Sequence, residues 1–273
     1  MRRATSWCNQ GAGSPLSRRS LARRAAIESS RSGALGAGIA EVTIGGQYIE
    51  PMLPSPCAVC LCWSSTRLCT ACLHRFRPVG SRCLRCAIRV PVGQLQCGSC
   101  LNSPPQFDRA ATAFDYAFPW DRLIAEFKFR GRLEWAKPLA DCLADALSPD
   151  NLQVDAITPV PLSRQRLKER GYNQSWEIAR RLSRRLGLPA RGDALLRWRD
   201  TPHQVALGRP ARDANLRGAF MPNSADSRRW LHGRRIALVD DVLTTGTTAN
   251  EAARALLEAG AASVHLWVLA RTA

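Results

Sequence analysis

Two adjacent carboxylates, Asp240 and Asp241, follow the apolar run Arg235-Ile236-Ala237-Leu238-Val239 and precede Val242-Leu243-Thr244-Thr245-Gly246-Thr247-Thr248. Gly246 permits a tight turn and a close approach of backbone to ligand. The threonine hydroxyls and loop N–H groups are donors, and a helix beginning near Thr248 points its positive end into the loop. Together these features predict a phosphate cradle. Anions beside a phosphate are unfavourable unless they meet something neutral or cationic, a requirement that ribose hydroxyls or Mg²⁺ satisfy. Asp240 and Asp241 therefore indicate a sugar phosphate rather than phosphate alone. Helix capping would explain an isolated Thr-Gly-Thr, since Asp and Thr cap well, but not the whole run behind an apolar strand.

A second chemistry lies upstream. Of eleven cysteines, eight form the Cys-x-x-Cys pairs Cys57/Cys60, Cys69/Cys72, Cys83/Cys86 and Cys97/Cys100. Each pair can place two sulfurs about 2.3 Å from a Zn²⁺, and two pairs close a tetrahedron. Two structural zinc ions in a double zinc ribbon are expected, partitioned in series or cross-braced. Four-sulfur sites leave no open position for catalysis, so the metal stands in for a core that residues 51–105, short of long apolar runs and without Asp or Glu, do not supply. Cys62 is left over as a small buried residue.

The cradle needs a strand, a turn and a helix in that order. Apolar runs predict strands at 154–160, 235–240 and 263–270, with one or two more within 107–118. Helices are expected at 120–129, at 133–147 after the breaker Gly131, at 174–186 and at 250–259. In the third, Trp176, Ala179, Leu182 and Leu186 form one stripe and Gly187 a stop; Gly260 closes the fourth. Strand, helix, strand argues for an α/β fold with a parallel sheet and right-handed crossovers. Pro104 and Pro105 form a stiff junction before it, dividing the chain into a basic leader (1–50), a zinc-ribbon domain (51–105) and an α/β domain (106–273).

The formal charge of +17 is carried almost wholly by arginine; only Lys128, Lys137 and Lys168 are lysines. Base composition accounts for such a bias as readily as phosphate binding does, although basicity suits polyanionic partners. The leader is rich in Arg, Ser, Gly and Ala, with no acidic residue before Glu28, and reads as disordered. It has the composition of an organelle transit peptide or of a translated leader upstream of a start near Met52. No run approaches the length of a membrane span. Regular thiol pairs favour metal over disulfides, and so the reducing cytoplasm.

The segment 239–248 resembles the PRPP-binding signature of type I phosphoribosyltransferases, PRPP being phosphoribosyl pyrophosphate. The order of segments from about Met52 to the end resembles the ComF family, also called GntX or ComFC. Supporting motifs are Phe127-Lys128-Phe129-Arg130-Gly131, Pro159-Val160-Pro161-Leu162, Arg170-Gly171-Tyr172-Asn173-Gln174 and Asn215-Leu216-Arg217-Gly218-Ala219-Phe220. The resemblance implies a type I phosphoribosyltransferase-like sheet with helices on both faces. It implies that Asp240 and Asp241 bind ribose hydroxyls and serve as the catalytic pair, that Thr244, Thr245, Gly246, Thr247 and Thr248 bind the 5′-phosphate, and that Mg²⁺ accompanies PRPP. The loop 161–173, with Arg164, Arg166, Lys168 and Arg170, takes the pyrophosphate position. Residues 199–220, with His203, Gln204 and Arg209, resemble a loop that closes over the reacting centre, and 107–147 the hood that recognises an acceptor. Function is then one of three: a competence-related protein handling single-stranded DNA with partner proteins, where Trp198 and Tyr172 offer stacking surfaces; an active transferase of nucleotide metabolism; or a PRPP sensor without turnover.

Overall fold

A computed structural model describes residues 54–199 and 217–273; the leader and His203, Gln204 and Arg209 lie outside the described residues. The chain divides between Arg75 and Phe76 into two compact units. In the first, β1 (Ser55–Pro56) pairs antiparallel with β2 (Trp63–Ser64), and α1 (Thr70–Arg75) follows. Here Cys62 is half-buried rather than buried.

The larger unit opens with the second cysteine group and its helix α2 (Gly98–Asn102), then β3 (Arg109–Asp115), α3 (Trp120–Phe129), a 3-10 turn (Leu133–Trp135) and α4 (Ala136–Ala146). Next come β4 (Ala156–Pro159), α5 (Arg164–Arg170), α6 (Gln174–Leu186), β5 (Leu195–Arg197) and β6 (Phe220–Pro222). The chain ends with α7 (Ala225–Leu231), β7 (Arg235–Leu243), α8 (Thr247–Glu258) and β8 (Ser263–Arg271). Among the described helices none is long and apolar enough to cross a membrane.

The sheet has the order β3-β8-β7-β4, every pair parallel. Its central strands are apolar on both sides, as a sheet covered on both faces requires. Ile236 and Leu238 of β7, with Val264, Leu266 and Val268 of β8, share one core with Ala249, Ala252, Ala253 and Leu256 of α8. The alternate residues Ala237, Val239, Trp267 and Leu269 are equally buried and face the other way. On that side α4 and α6 pack on each other and on the sheet. The fold is therefore a parallel α/β sheet covered by helices on both faces.

Helix limits follow local chemistry. Asn173 caps α6 through its side-chain Oδ1, which accepts from Ser175 N (3.0 Å) and Trp176 N (3.4 Å), and Gly187 ends it at φ 67°. The apolar stripe is rotated from expectation. Ile178, Ala179 and Leu182 are buried, whereas Trp176 and Leu186 are only half so. Trp176 lies over Gly192, where a Cβ would come within 3.0 Å of the ring. The expected loop 161–173 contains α5, started by Ser163, whose side chain accepts from Arg166 N, and stopped by Gly171 at φ 81°.

Candidate functional site

Strand β7 runs three residues beyond the expected end, because Val242 and Leu243 still pair with Ala270 and Arg271 of the long β8. Asp240 and Asp241 therefore sit on a strand rather than in a loop, at the carboxyl end of the sheet where α/β folds open to ligands. Asp240 Oδ1 accepts from Ser175 Oγ (3.0 Å) and from the Asp241 backbone N–H (2.9 Å). Asp241 Oδ1 accepts from Val242 N (2.7 Å) and from Lys128 Nζ (3.0 Å), and the ammonium lies 2.8 Å from Oδ2. Burial and the neighbouring Asp241 charge push the Asp240 carboxyl up to about 7, against the contrary pull of Lys128 and its hydrogen bonds.

After Leu243 the chain turns through Thr244 and Thr245 to Gly246, at φ 85°, and α8 begins. Asn250 N donates to Gly246 O (2.8 Å), leaving the earlier N–H groups of this 12-residue helix to face the turn. A side chain at Gly246 would not clash, its nearest contact being Leu243 at 3.6 Å; the constraint is the left-handed backbone. Gly246→Val should destabilise the larger unit by about 1–3 kcal/mol and weaken binding of inorganic phosphate, checked by thermal melting and phosphate titration.

These groups line a cleft of about 610 Å³ that also contains Lys128, Phe129, Arg166, Arg170, Gln174 and Arg197. Of the residues singled out from sequence, Asp240, Asp241, Thr244, Thr245, Gly246, Thr247, Thr248 and Arg170 all line it. Arg164 does not; it is exposed at the first turn of α5. Arg166 and Arg170, four apart, share a helix face, whereas Arg164 is two residues from Arg166 and points away. Arg170 donates to Gln174 Oε1 and lies 5.4 Å from the Phe129 ring centre. Burial holds its guanidinium below its ordinary value, against the raising effect of Asp241.

Three contributors escaped the sequence reading. Lys128 stands in a quoted motif, and as one of three lysines in an arginine-rich chain it had a compositional signal. Arg197, buried and 5.7 Å from the Phe220 ring, stood out only as a flank of Trp198, and Ser175 had no signal. Tyr172, a candidate stacking surface, is half-buried and donates its hydroxyl to Phe127 O. Trp198 donates Nε1 to Gly218 O (2.7 Å), remains half exposed and carries Arg199 4.4 Å over its ring.

The cysteines gather in series: the sulfurs of Cys57, Cys60, Cys69 and Cys72 lie within 4.8 Å of one another, as do those of Cys83, Cys86, Cys97 and Cys100. Each group contains a residue at positive φ just after a pair, Leu61 (64°) and Ala87 (57°), which folds the chain back toward the sulfurs. Burial raises the Cys83 thiol, yet N–H groups of Cys97, Cys86 and Arg85 more than compensate, bringing it to about 7; Cys57 behaves alike, with N–H groups of Cys69, Cys60 and Val59. Crowded thiols of which one is readily ionised fit a thiophilic cation, so both groups can hold zinc. The second group is bound to the sheet: Ala110 N donates to Leu84 O (3.0 Å), and Arg82 and Arg89 both pair with Asp115. These two ion pairs tie the cysteine group to the end of β3.

Residues 173–273 match the Phosphoribosyl transferase domain family. The chain is 36% identical over 228 residues to the DNA utilization protein YhgH of Escherichia coli (strain K12), covering 81% of this chain and 98% of that protein. It is 34% identical over 209 residues to Competence protein F of Haemophilus influenzae, covering 75% and 90%. Identity to Competence protein ComFC of Bacillus subtilis is 33% over 153 residues, covering 55% and 58%.

Proposed function

We propose, since the chain belongs to the ComF family of phosphoribosyltransferase-like proteins, that its cleft holds the ribose and 5′-phosphate of PRPP or a related ribose phosphate, in a competence-related role in DNA use. One observation carries this reading. Two carboxylates, which repel a bare phosphate, share a cleft with a glycine-led helix start and with Arg166 and Arg170. A ligand with hydroxyls at one end and anions at the others satisfies all three.

Asp240 and Asp241 accept from the ribose hydroxyls, the turn and first N–H groups of α8 hold the 5′-phosphate, and Arg166 and Arg170 face the pyrophosphate. Mg²⁺ bound with PRPP supplies further positive charge at the pyrophosphate. If transfer occurs, pyrophosphate leaves the anomeric carbon as an acceptor nitrogen approaches, and the protein contributes positioning and charge. The names of the DNA utilization and competence relatives motivate the biological context. The exposed Trp198 with Arg199 over it suits stacking of an unpaired base beside a phosphate contact. Thiol-rich metal sites fit the cytoplasm.

Calorimetric titration with PRPP and Mg²⁺, paired with pyrophosphate release over a panel of amine and base acceptors, tests the proposal. Saturable binding supports it, and absent binding overturns it. Release would make the protein a transferase, whereas binding without release would make it a sensor or a DNA-handling module.

Affinity should depend on pH with a definite sign. A protonated Asp240 must lose its proton to accept fully from a sugar hydroxyl. With its ionisation near 7, affinity should fall up to about tenfold per unit as pH drops below 7 and level off above it. Asp240→Asn should flatten that profile, as PRPP titrations between pH 5.5 and 8.5 would read.

A further inference from the structure

Arg271, the last residue of β8, joins two features that the sequence separates widely. Its Nε donates to the carbonyl of Cys86 (3.0 Å), in the second four-cysteine group, next to the left-handed turn at Ala87. Its Nη1 lies 3.0 Å from Leu243 O and 2.7 Å from Thr244 O, where the phosphate loop begins, and also reaches Thr272 O (2.8 Å) and Thr272 Oγ1 (3.0 Å). The planar guanidinium presents donors in fixed directions, so one side chain can hold both sets of carbonyls in register.

The location of Arg271 gives those contacts directional force. It lines a second cavity of about 860 Å³, between the cysteine group and the back of the loop, and is not among the residues lining the first cleft. A trans peptide is planar, its C=O and N–H pointing opposite ways. Drawing the carbonyls of Leu243 and Thr244 toward Arg271 therefore turns the N–H groups of Thr244 and Thr245 away from it, and both residues also line the first cleft. The other described ties of the cysteine group reach β3 and its approach, through Leu84 O, Arg85 to Phe107 O (3.2 Å) and Arg82 to Asp115.

We propose that Arg271 is a positioning residue that links the phosphate loop to the second four-cysteine metal site, so that metal held by Cys83, Cys86, Cys97 and Cys100 governs how well the cleft takes a 5′-phosphate. The inference rests on the ribose-phosphate reading for its ligand, but not for its contacts. Coupling is reciprocal, so a bound phosphate should also slow metal loss from that site.

The test uses the full metal-loaded chain, with hydrogen exchange across 242–248 as a readout independent of ligand. Arg271→Met should speed loop exchange while leaving α6 protected, and lower affinity for ribose 5-phosphate about tenfold, within the usual range of site-to-site coupling. Affinity for inorganic pyrophosphate should stay unchanged. Arg271→Lys, with a single cationic centre, should not restore the loop. Cys100→Ser should loosen the same loop in the native background and add nothing in Arg271→Met, as a shared path requires. Additive effects, or loop exchange unmoved by Arg271→Met, would overturn the proposal. If Cys100→Ser does not fold, the Met and Lys variants with both metals in place decide it. A native chain that ignores ribose 5-phosphate refutes the ribose-phosphate reading, and loop exchange still decides the link.

Discussion

Exchanging both carboxylates for amides, Asp240→Asn with Asp241→Asn, is expected to lower affinity for PRPP about 100-fold while the chain stays folded. A hydrogen bond to a charged acceptor is worth about 1.5–3 kcal/mol, and a neutral amide oxygen keeps part of that. Losing about 1.4 kcal/mol at each position gives two factors of ten. The folded state has opposing terms. Asp240 is held away from its ordinary ionisation by burial beside Asp241, a repulsion that the amides remove. Lys128, 2.8 Å from Asp241, loses its ion pair. Both replacements keep shape and acceptor oxygens, so melting should move little. Unchanged PRPP affinity in this variant would overturn the assignment of the two aspartates.

The parts of the site that were legible in sequence are those built from contiguous residues. Strand β7, the Thr-Gly-Thr turn and helix α8 occupy one stretch, and each announces itself by local chemistry: an apolar run, a glycine, then small and apolar residues at helical spacing. The span 174–186 was likewise readable to the residue, because Asn173 and Gly187 punctuate it. What stayed hidden was whatever depends on chain returning from elsewhere. Ser175 reaches Asp240 across 65 positions and Lys128 reaches Asp241 across 113. No local pattern encodes such a meeting.

Short elements failed for a different reason. Strand β5 has three residues and finds its antiparallel partner only at β6, so neither shows an alternation long enough to read. Helix α5 spans seven residues, six of them polar or charged, and offers no buried stripe at all. Its ends were readable in retrospect, from Ser163 and Gly171. That helix also decides which arginines count: periodicity selects Arg166 with Arg170 and excludes Arg164, a choice that a loop does not impose.

The second large effect belongs to the metal. Cys100→Ser is expected to reduce bound zinc from about two ions per chain to about one and to destabilise the larger unit, whereas Cys72→Ser should lose the other ion with little effect there. Apparent binding energies for structural zinc run to about 10–16 kcal/mol over four ligands, so one thiolate is worth about 3 kcal/mol. In a unit of this size that shifts melting by about 6–12 °C. The asymmetry follows from position: Cys83 to Cys100 lie in the same compact unit as the sheet, tied to β3 at Leu84 and Asp115, whereas Cys57 to Cys72 belong to the smaller unit. Metal analysis beside calorimetry of both variants reads the difference. Finding no zinc in a folded native chain would overturn the metal assignment. Equal melting of the two variants would show instead that the second site stabilises only itself, and that its hydrogen bonds to the sheet carry little of the energy of metal binding.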